Sequence, residues 1–238
     1  MIRLDKYLAD AGAGTRSEVK TLIRKGRITI NSIKASKPEQ KVSETDDTVC
    51  LDGVPVILVQ EVYYMLNKPS GYVSSTEEHD GPSVLTLLKG APGRNLFPAG
   101  RLDKDTEGLL LITNDGMLAH DLLSPKKHVD KTYFARIRGR VTEEDILRFK
   151  EGLNIGEKHN TLPADLQILK SDDESEILLT ICEGKFHQVK RMFEAVDKKV
   201  IYLKRISMGT LTLDESLSAG EFRPLNSEEL TLLKNRKG

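Results

Sequence analysis

The chain has 238 residues, 38% hydrophobic and 30% charged, with no tryptophan and equal numbers of basic and acidic side chains. That balance suits a folded protein with a well-solvated surface, and the lack of Trp argues against a carbohydrate groove built on indole stacking. No apolar run approaches the roughly 20 residues that span a bilayer, and the N-terminus has no apolar core of signal-peptide length, so the expected location is the cytoplasm.

In chain order, Leu4, Tyr7, Leu8 and Ala11 recur at i, i+3, i+4, i+7, a helical stripe. It ends at Gly12-Ala13-Gly14, and Thr15 with Glu18 three positions on is a capping box opening a second helix, with Val19, Leu22 and Ile23 as its apolar face. Gly26 fits the position just past that helix. Residues 27–31 alternate as a strand, and 48–51 and 54–58 read as a hairpin around Asp52-Gly53. The first 37 residues carry nine basic and three acidic side chains, a local +6 that leaves −6 on the remaining 201. A basic N-terminal unit on a neutral chain fits an appended nucleic-acid-binding module, although a solvated charged face gives the same count.

A boundary is expected near residues 59–61, separating domains at 1–59 and 60–238. Beyond it, 62–66 reads as a strand broken at Asn67–Gly71, 83–89 as a short helix, and 109–113 as a buried strand. A helix follows from Gly116 through Leu123, then a strand at 131–138 and a helix capped by Thr142 through Leu153. Strands are expected near 166–170, 177–182 and 200–206, with a helix near 187–196 and a C-terminal helix capped at Asn226–Glu229. Strands outnumber helices without strict β-α-β order, so the class is α+β with a mixed sheet. Cys50 and Cys182 have no Cys or His at ligand spacing, so both read as reduced core residues and no metal is expected.

The segment Gly100–Leu110, GRLDKDTEGLL, is the densest candidate site. Its glycines allow a sharp turn and close approach to a ligand. A carboxylate held beside arginine there can stay ionised as a nucleophile or base. A surface turn with solvated charges explains the same residues equally well. Further on, Val189, Met192, Phe193 and Val196 form one apolar stripe, while His187, Lys190, Arg191 and Glu194 form a mostly basic ridge on another face.

The wording of these segments is more specific than their physics. Gly100-Arg101-Leu102-Asp103, with Thr106 and Gly108-Leu109-Leu110, resembles the signature of pseudouridine synthases that rely on one aspartate. The resemblance implies Asp103 as the essential carboxylate and leaves Asp105 and Glu107 as surface or supporting groups. Lys131-Thr132-Tyr133 is similar to the run carrying that family's active-site tyrosine, here Tyr133. Residues 183–193, EGKFHQVKRMF, resemble its third motif, whose basic residue pairs with the aspartate. That residue falls on Lys190, where many relatives carry Arg; Asp197 stands where Gly is usual. Arg101, Lys185, His187, Gln188 and Arg191 are then expected to contact phosphates or hold the flipped nucleotide.

The N-terminal segment resembles the alpha-L RNA-binding domain, through Arg3–Leu8, Arg16-Ser17-Glu18 and Gly26-Arg27-Ile28. That likeness implies RNA contacts by Arg3, Lys6, Arg16, Ser17, Lys25 and Arg27. Followed by Leu66–Gly71, the whole looks like the RsuA-type branch, with a catalytic domain on a mixed, largely antiparallel sheet flanked by helices. Asn67–Ser75 and Leu123–Val129 look more like small-subunit (16S) enzymes than large-subunit (23S) ones. The implied partner is 16S rRNA or a small-subunit assembly intermediate, bound by a monomer. Uridine isomerisation balances without redox change, so no cofactor is implied. The alternatives are the same reaction on 23S rRNA, a non-catalytic ribosome-assembly factor, or a glycosidase acting on free nucleosides.

Overall fold

A computed structural model describes residues 1–58 and 61–235. The chain divides into two compact units, Met1–Gln60 and Glu61–Gly238. Residues 59 and 60 of the expected linker lie outside the described residues.

The first unit runs β1 (Ile2–Arg3), α1 (Leu4–Asp10), α2 (Arg16–Arg24), β2 (Ile28–Ile30), β3 (Ile33–Lys34), β4 (Lys41–Val42), β5 (Val49–Leu51) and β6 (Val54–Pro55). The expected stripes close its core: Leu4, Tyr7 and Leu8 of α1 bury against Val19 and Ile23 of α2 and Ile28, Ile30, Val42 and Val49 of the strands. The Thr15 capping box forms as expected, with Glu18 N–H bonded to the Thr15 hydroxyl and Thr15 N–H to the Glu18 carboxylate. Asp52 and Gly53 both take positive φ, the conformation a two-residue hairpin demands. The second arm of that hairpin ends at Pro55 rather than reaching residue 58.

The second unit continues with β7 (Tyr63–Lys68), β8 (Phe97–Ala99), β9 (Glu107–Thr113), α3 (Gly116–Leu123), β10 (Lys131–Arg138), α4 (Glu143–Glu151), β11 (Asp165–Lys170) and β12 (Glu174–Ile181). Then come α5 (Gln188–Glu194), β13 (Lys199–Met208), β14 (Leu211–Thr212), β15 (Phe222–Pro224) and α6 (Ser227–Lys234). One sheet holds all these strands, in the order β11-β12-β10-β13-β9-β7-β15, with β14 on β13 and β8 on β9. Every pairing is antiparallel except β13 with β9, which is parallel and spans only Lys204–Glu107 and Arg205–Gly108. The class is therefore α+β with a mixed, largely antiparallel sheet.

Both faces of the β7–β9 region are buried. Leu66, Leu110 and Ile112 join the larger core, with Tyr133, Ala135 and Ile137 of β10 and with Val189, Met192 and Phe193 of α5. Met65, Leu109 and Leu111 face a second core, against Leu118 and Leu122 of α3 and Leu233 of α6. This two-sided burial explains the continuous apolar run read at 109–113.

Two expectations shift. The strand expected to break at Asn67 continues through Lys68, because both residues pair with β9, at Leu109 and Gly108. The segment Phe97–Ala99, for which no strand was expected, is the short strand β8 on the far half of β9. At the parallel junction the backbones of β9 and β13 nearly touch: a Cβ on Gly108 would lie 2.2 Å from the Arg205 carbonyl oxygen. Only glycine fits there, and this crossing carries the loop of residues 101–106 into the middle of the sheet.

Candidate functional site

The loop before β9 is fastened from below by the end of β7. Lys68 is fully buried, and its ammonium donates to the carbonyls of Pro69 (3.1 Å), Asp103 (3.1 Å), Lys104 (3.2 Å) and Thr106 (2.7 Å). Gly71 N–H donates to Lys104 O at 2.7 Å, and the Ser74 hydroxyl donates to Leu102 O and accepts from Leu102 N–H, each at 3.0 Å. The backbone of residues 102–106 is thus held by side chains 28 to 38 positions earlier.

Burial pulls the Lys68 ammonium down to about 8, against the opposing pull of Asp105, Glu107 and Asp103. In the unfolded chain the same group holds its proton to its ordinary 10.5. Between those values the folded state binds fewer protons, so stability rises with pH across that window. Lys68→Met is expected to remove that rise and to cost roughly 3 kcal/mol at neutral pH, from the Pro69 and Thr106 carbonyls losing their donor, while those of Asp103 and Lys104 keep Thr106 N–H and Gly71 N–H. Denaturant unfolding of both proteins, followed by circular dichroism from pH 7.5 to 10, measures both effects.

Asp103 faces the ammonium of Lys190 on α5, Oδ2 to Nζ 3.0 Å, and the imidazole Nε2 of His187 lies 3.7 Å from its Oδ1. Lys190 also donates to Asp105 Oδ1 at 2.6 Å. One ammonium therefore holds two carboxylates. Burial opposes the Lys190 charge most strongly, but hydrogen bonds and attraction from Asp105 and Asp103 outweigh it, and its pKa is raised. Burial also pushes Asp105 upward, yet the Lys190 bond and charge prevail and its carboxyl lies below the ordinary range. Asp105, expected to be peripheral, is the shorter of the two contacts. Glu107 accepts the Tyr202 hydroxyl at 2.8 Å.

Tyr133 closes the site from β10. The alternation of β10 turns its ring inward, on the same buried face as Ala135 and Ile137, and a register shift in the facing β13 lies beside it. The ring is 7% exposed, and its hydroxyl forms no hydrogen bond among the described residues. A cavity of about 80 Å³ opens between Asp103, Tyr133, His187, Lys190, Leu203 and Thr106. A second, of about 290 Å³, lies on the other side of Arg101 and Tyr133. Two buried polar atoms at these cavities have no partner among the described residues: the Thr106 hydroxyl at the first and one terminal nitrogen of Arg205 at the second. Asp103, Tyr133 and Lys190, from three separate segments, thus meet around one cavity.

The remaining expected residues divide. Arg101, Lys185, His187 and Gln188 all line the first cavity, but Gln188 is buried and turned inward. Its amide donates to Glu183 at 2.8 Å and its carbonyl accepts Lys185 N–H at 2.9 Å. The Lys185 ammonium donates to the carbonyls of His159 and Asn160. Arg191 points away from the cavity, to Glu157 and to the carbonyls of Phe186 and Ile155. Gln188 and Arg191, expected at the RNA surface, here brace the turn at 183–187. His187 adopts φ 49° at the start of α5, and Asp197 takes φ 59° after it, the left-handed position where glycine was the expected residue.

In the first unit, Arg3 is clasped by buried Asp5 (2.8 and 2.9 Å) and contacts Glu39. Lys6 pairs with Asp10 and Arg27 with Asp52. Arg16, Ser17 and Lys25 are exposed, and among the described residues neither Arg16 nor Lys25 is in an ion pair. The sequence reading missed Lys68, Ser74 and the second carboxylate on Lys190. A lysine ending a strand of buried residues was the available signal for the first.

Residues 62–195 match the sequence profile described as RNA pseudouridylate synthase, and residues 2–49 match the S4 domain. A Bacillus subtilis protein named uncharacterized RNA pseudouridine synthase YtzG is 46% identical over 98% of both chains. The ribosomal small subunit pseudouridine synthase A of Vibrio cholerae is 42% identical over 96% of this chain and 98% of its own. A solved structure titled as a pseudouridylate synthase superposes with a TM-score of 0.69 at 39% identity, covering 98% of this chain and all of the other.

Proposed function

We propose, from the premise that this chain belongs to the RNA pseudouridylate synthase family, that it isomerises a uridine of 16S ribosomal RNA with Asp103 as the catalytic carboxylate. The chain is a pseudouridine synthase carrying an S4 domain; the target and the residue roles are the proposed part. The observation that carries the role of Asp103 is its contact with the Lys190 ammonium, 3.0 Å away, at a cavity walled by Tyr133. Relatives named for the small ribosomal subunit, 40–42% identical over nearly the whole chain, support the 16S target.

The reaction breaks the bond between uracil N1 and ribose C1′, turns the base, and joins C5 to C1′. N1 gains a proton and C5 loses one, so atoms and electrons balance. A base inside folded RNA must first leave its stack, at a cost of a few kcal/mol, and the aromatic and aliphatic walls of the cavity, Tyr133 and Leu203, suit a flipped pyrimidine. Asp103 acts on the sugar, by attack at C1′ or by taking the C2′ proton to give a glycal; both routes need its ionised form. Lys190 supplies the counter-charge, and Tyr133 stacks on the base with its hydroxyl, which has no hydrogen-bond partner among the described residues, available to the C5 proton.

Arg16 and Lys25 of the S4 unit, exposed and in no ion pair among the described residues, are the strongest phosphate contacts. Arg3, Lys6 and Arg27 reach RNA only by exchanging a carboxylate for a phosphate. Such contacts position the substrate more than they specify it. The enzyme is proposed to work as a monomer in the cytoplasm, on 16S rRNA or an assembly intermediate containing it.

Mapping pseudouridine in rRNA from a strain lacking the protein tests the target. The expected result is one uridine of the small-subunit RNA left unmodified; loss of a large-subunit site instead would move the address to 23S rRNA.

A further inference from the structure

Phe186 is 73% exposed, between Lys185 and His187, which both line the first cavity. A single exposed apolar side chain is ordinary, but three features set this one apart. Its ring lies parallel to that of His187, with centroids 3.8 Å apart and planes 18° from each other. His187 holds this pose at φ 49°, a left-handed backbone that a side chain adopts at some energetic cost. The other edge of the imidazole faces Asp103, 3.7 Å away.

The turn that presents the pair is fixed on every side. Arg191 donates to the Phe186 carbonyl at 3.0 Å, the Lys185 ammonium is tied to His159 O and Asn160 O, and Gln188 closes the turn onto Lys185 N–H. Two charged side chains and a buried amide thus rigidify a turn whose apolar tip is exposed and stacked on the adjacent imidazole. Such bracing orients the tip, and a flat ring stacked on one face and open on the other is a platform for a second planar group.

We infer that Phe186 stacks with an RNA nucleobase next to the uridine in the cavity, making Phe186–His187 a binding site for the flanking nucleotide. This rests on the reading of the cavity as a pseudouridine synthase site. Every base has a π-face, so stacking contributes affinity with little sequence preference. The stacking partner of Phe186, His187, lies 3.7 Å from Asp103, which makes the pair a device for holding the strand open where one base has left the stack. The ring touches no reacting atom, so its effect belongs to KM rather than kcat.

The test uses the full chain and whichever rRNA transcript yields tritium from 5-tritiated uridine. Phe186→Ala is expected to raise KM about tenfold with kcat within about twofold, and Phe186→Tyr and Phe186→Trp to restore it where Phe186→Leu does not. An abasic nucleotide on one side of the target should weaken binding of the unaltered protein and leave Phe186→Ala unaffected. An unchanged KM in Phe186→Ala, full rescue by Leu, or equal abasic penalties in both proteins would overturn the platform while leaving the synthase reading intact. No tritium release by the unaltered protein from any rRNA would overturn that reading and the platform with it.

Discussion

Replacing Asp103 with asparagine is expected to lower pseudouridine formation by at least about 10⁴-fold, the scale on which covalent or base catalysis is lost when its central group is removed. The substitution is nearly isosteric, and the backbone carbonyl of residue 103 keeps its bond from Lys68. Lys190 keeps Asp105 at 2.6 Å, so no cation is left alone in the site and folding stability should change by less than about 1 kcal/mol. RNA affinity should hold or rise slightly, because a negative charge has left a surface that meets phosphates. Rate, unfolding midpoint and RNA binding measured on one preparation separate a chemical loss from a structural one.

Lys190→Met is expected to lower kcat by about 10² to 10³-fold. It takes the shared cation from Asp103 and Asp105, which converge on it from two positions of one turn. Carboxylates that converge without a cation favour a shared proton, so the variant's rate should climb with pH over a range where the unaltered enzyme is flat. Lys190→Arg keeps the charge and should remain within about tenfold. Asp105→Asn, which removes the more exposed carboxylate, should cost about tenfold or less. A Lys190→Met enzyme with unchanged kcat and a flat pH profile would assign Lys190 to folding alone.

Much of this architecture was legible because local signals agreed with the fold. The Thr15 and Asn226 capping boxes, the Asp52-Gly53 turn and the alternating strand at 131–138 depend on a few neighbouring residues, and they appear where expected. Strand ends and short strands were not legible. β8 and β15 are three-residue strands whose pairing is set by β9 and β7, far along the chain, and β7 runs past Asn67 because its partner does. The site was readable only as wording: physics left the 100–110 segment indistinguishable from a charged surface turn.

What geometry adds is which charges meet. Lys68 falls in the segment read as a strand break at 67–71, yet it is buried under the loop of residues 101–106, since only the fold places four carbonyls around that position. Asp105 was set aside because it does not match the motif, and it proves the nearer partner of Lys190. Arg191 was read on the basic ridge of an amphipathic helix, and both it and Gln188 were expected at a phosphate or the flipped nucleotide. Their hydrogen bonds instead hold the turn that carries Phe186 and His187.

The most direct test is tritium release from a 16S rRNA transcript labelled at uridine C5, with the unaltered enzyme and Asp103→Asn side by side. Release from the first and none from the second, with both proteins folded and binding the RNA, is the predicted result; equal release by both would contradict the role of Asp103 outright.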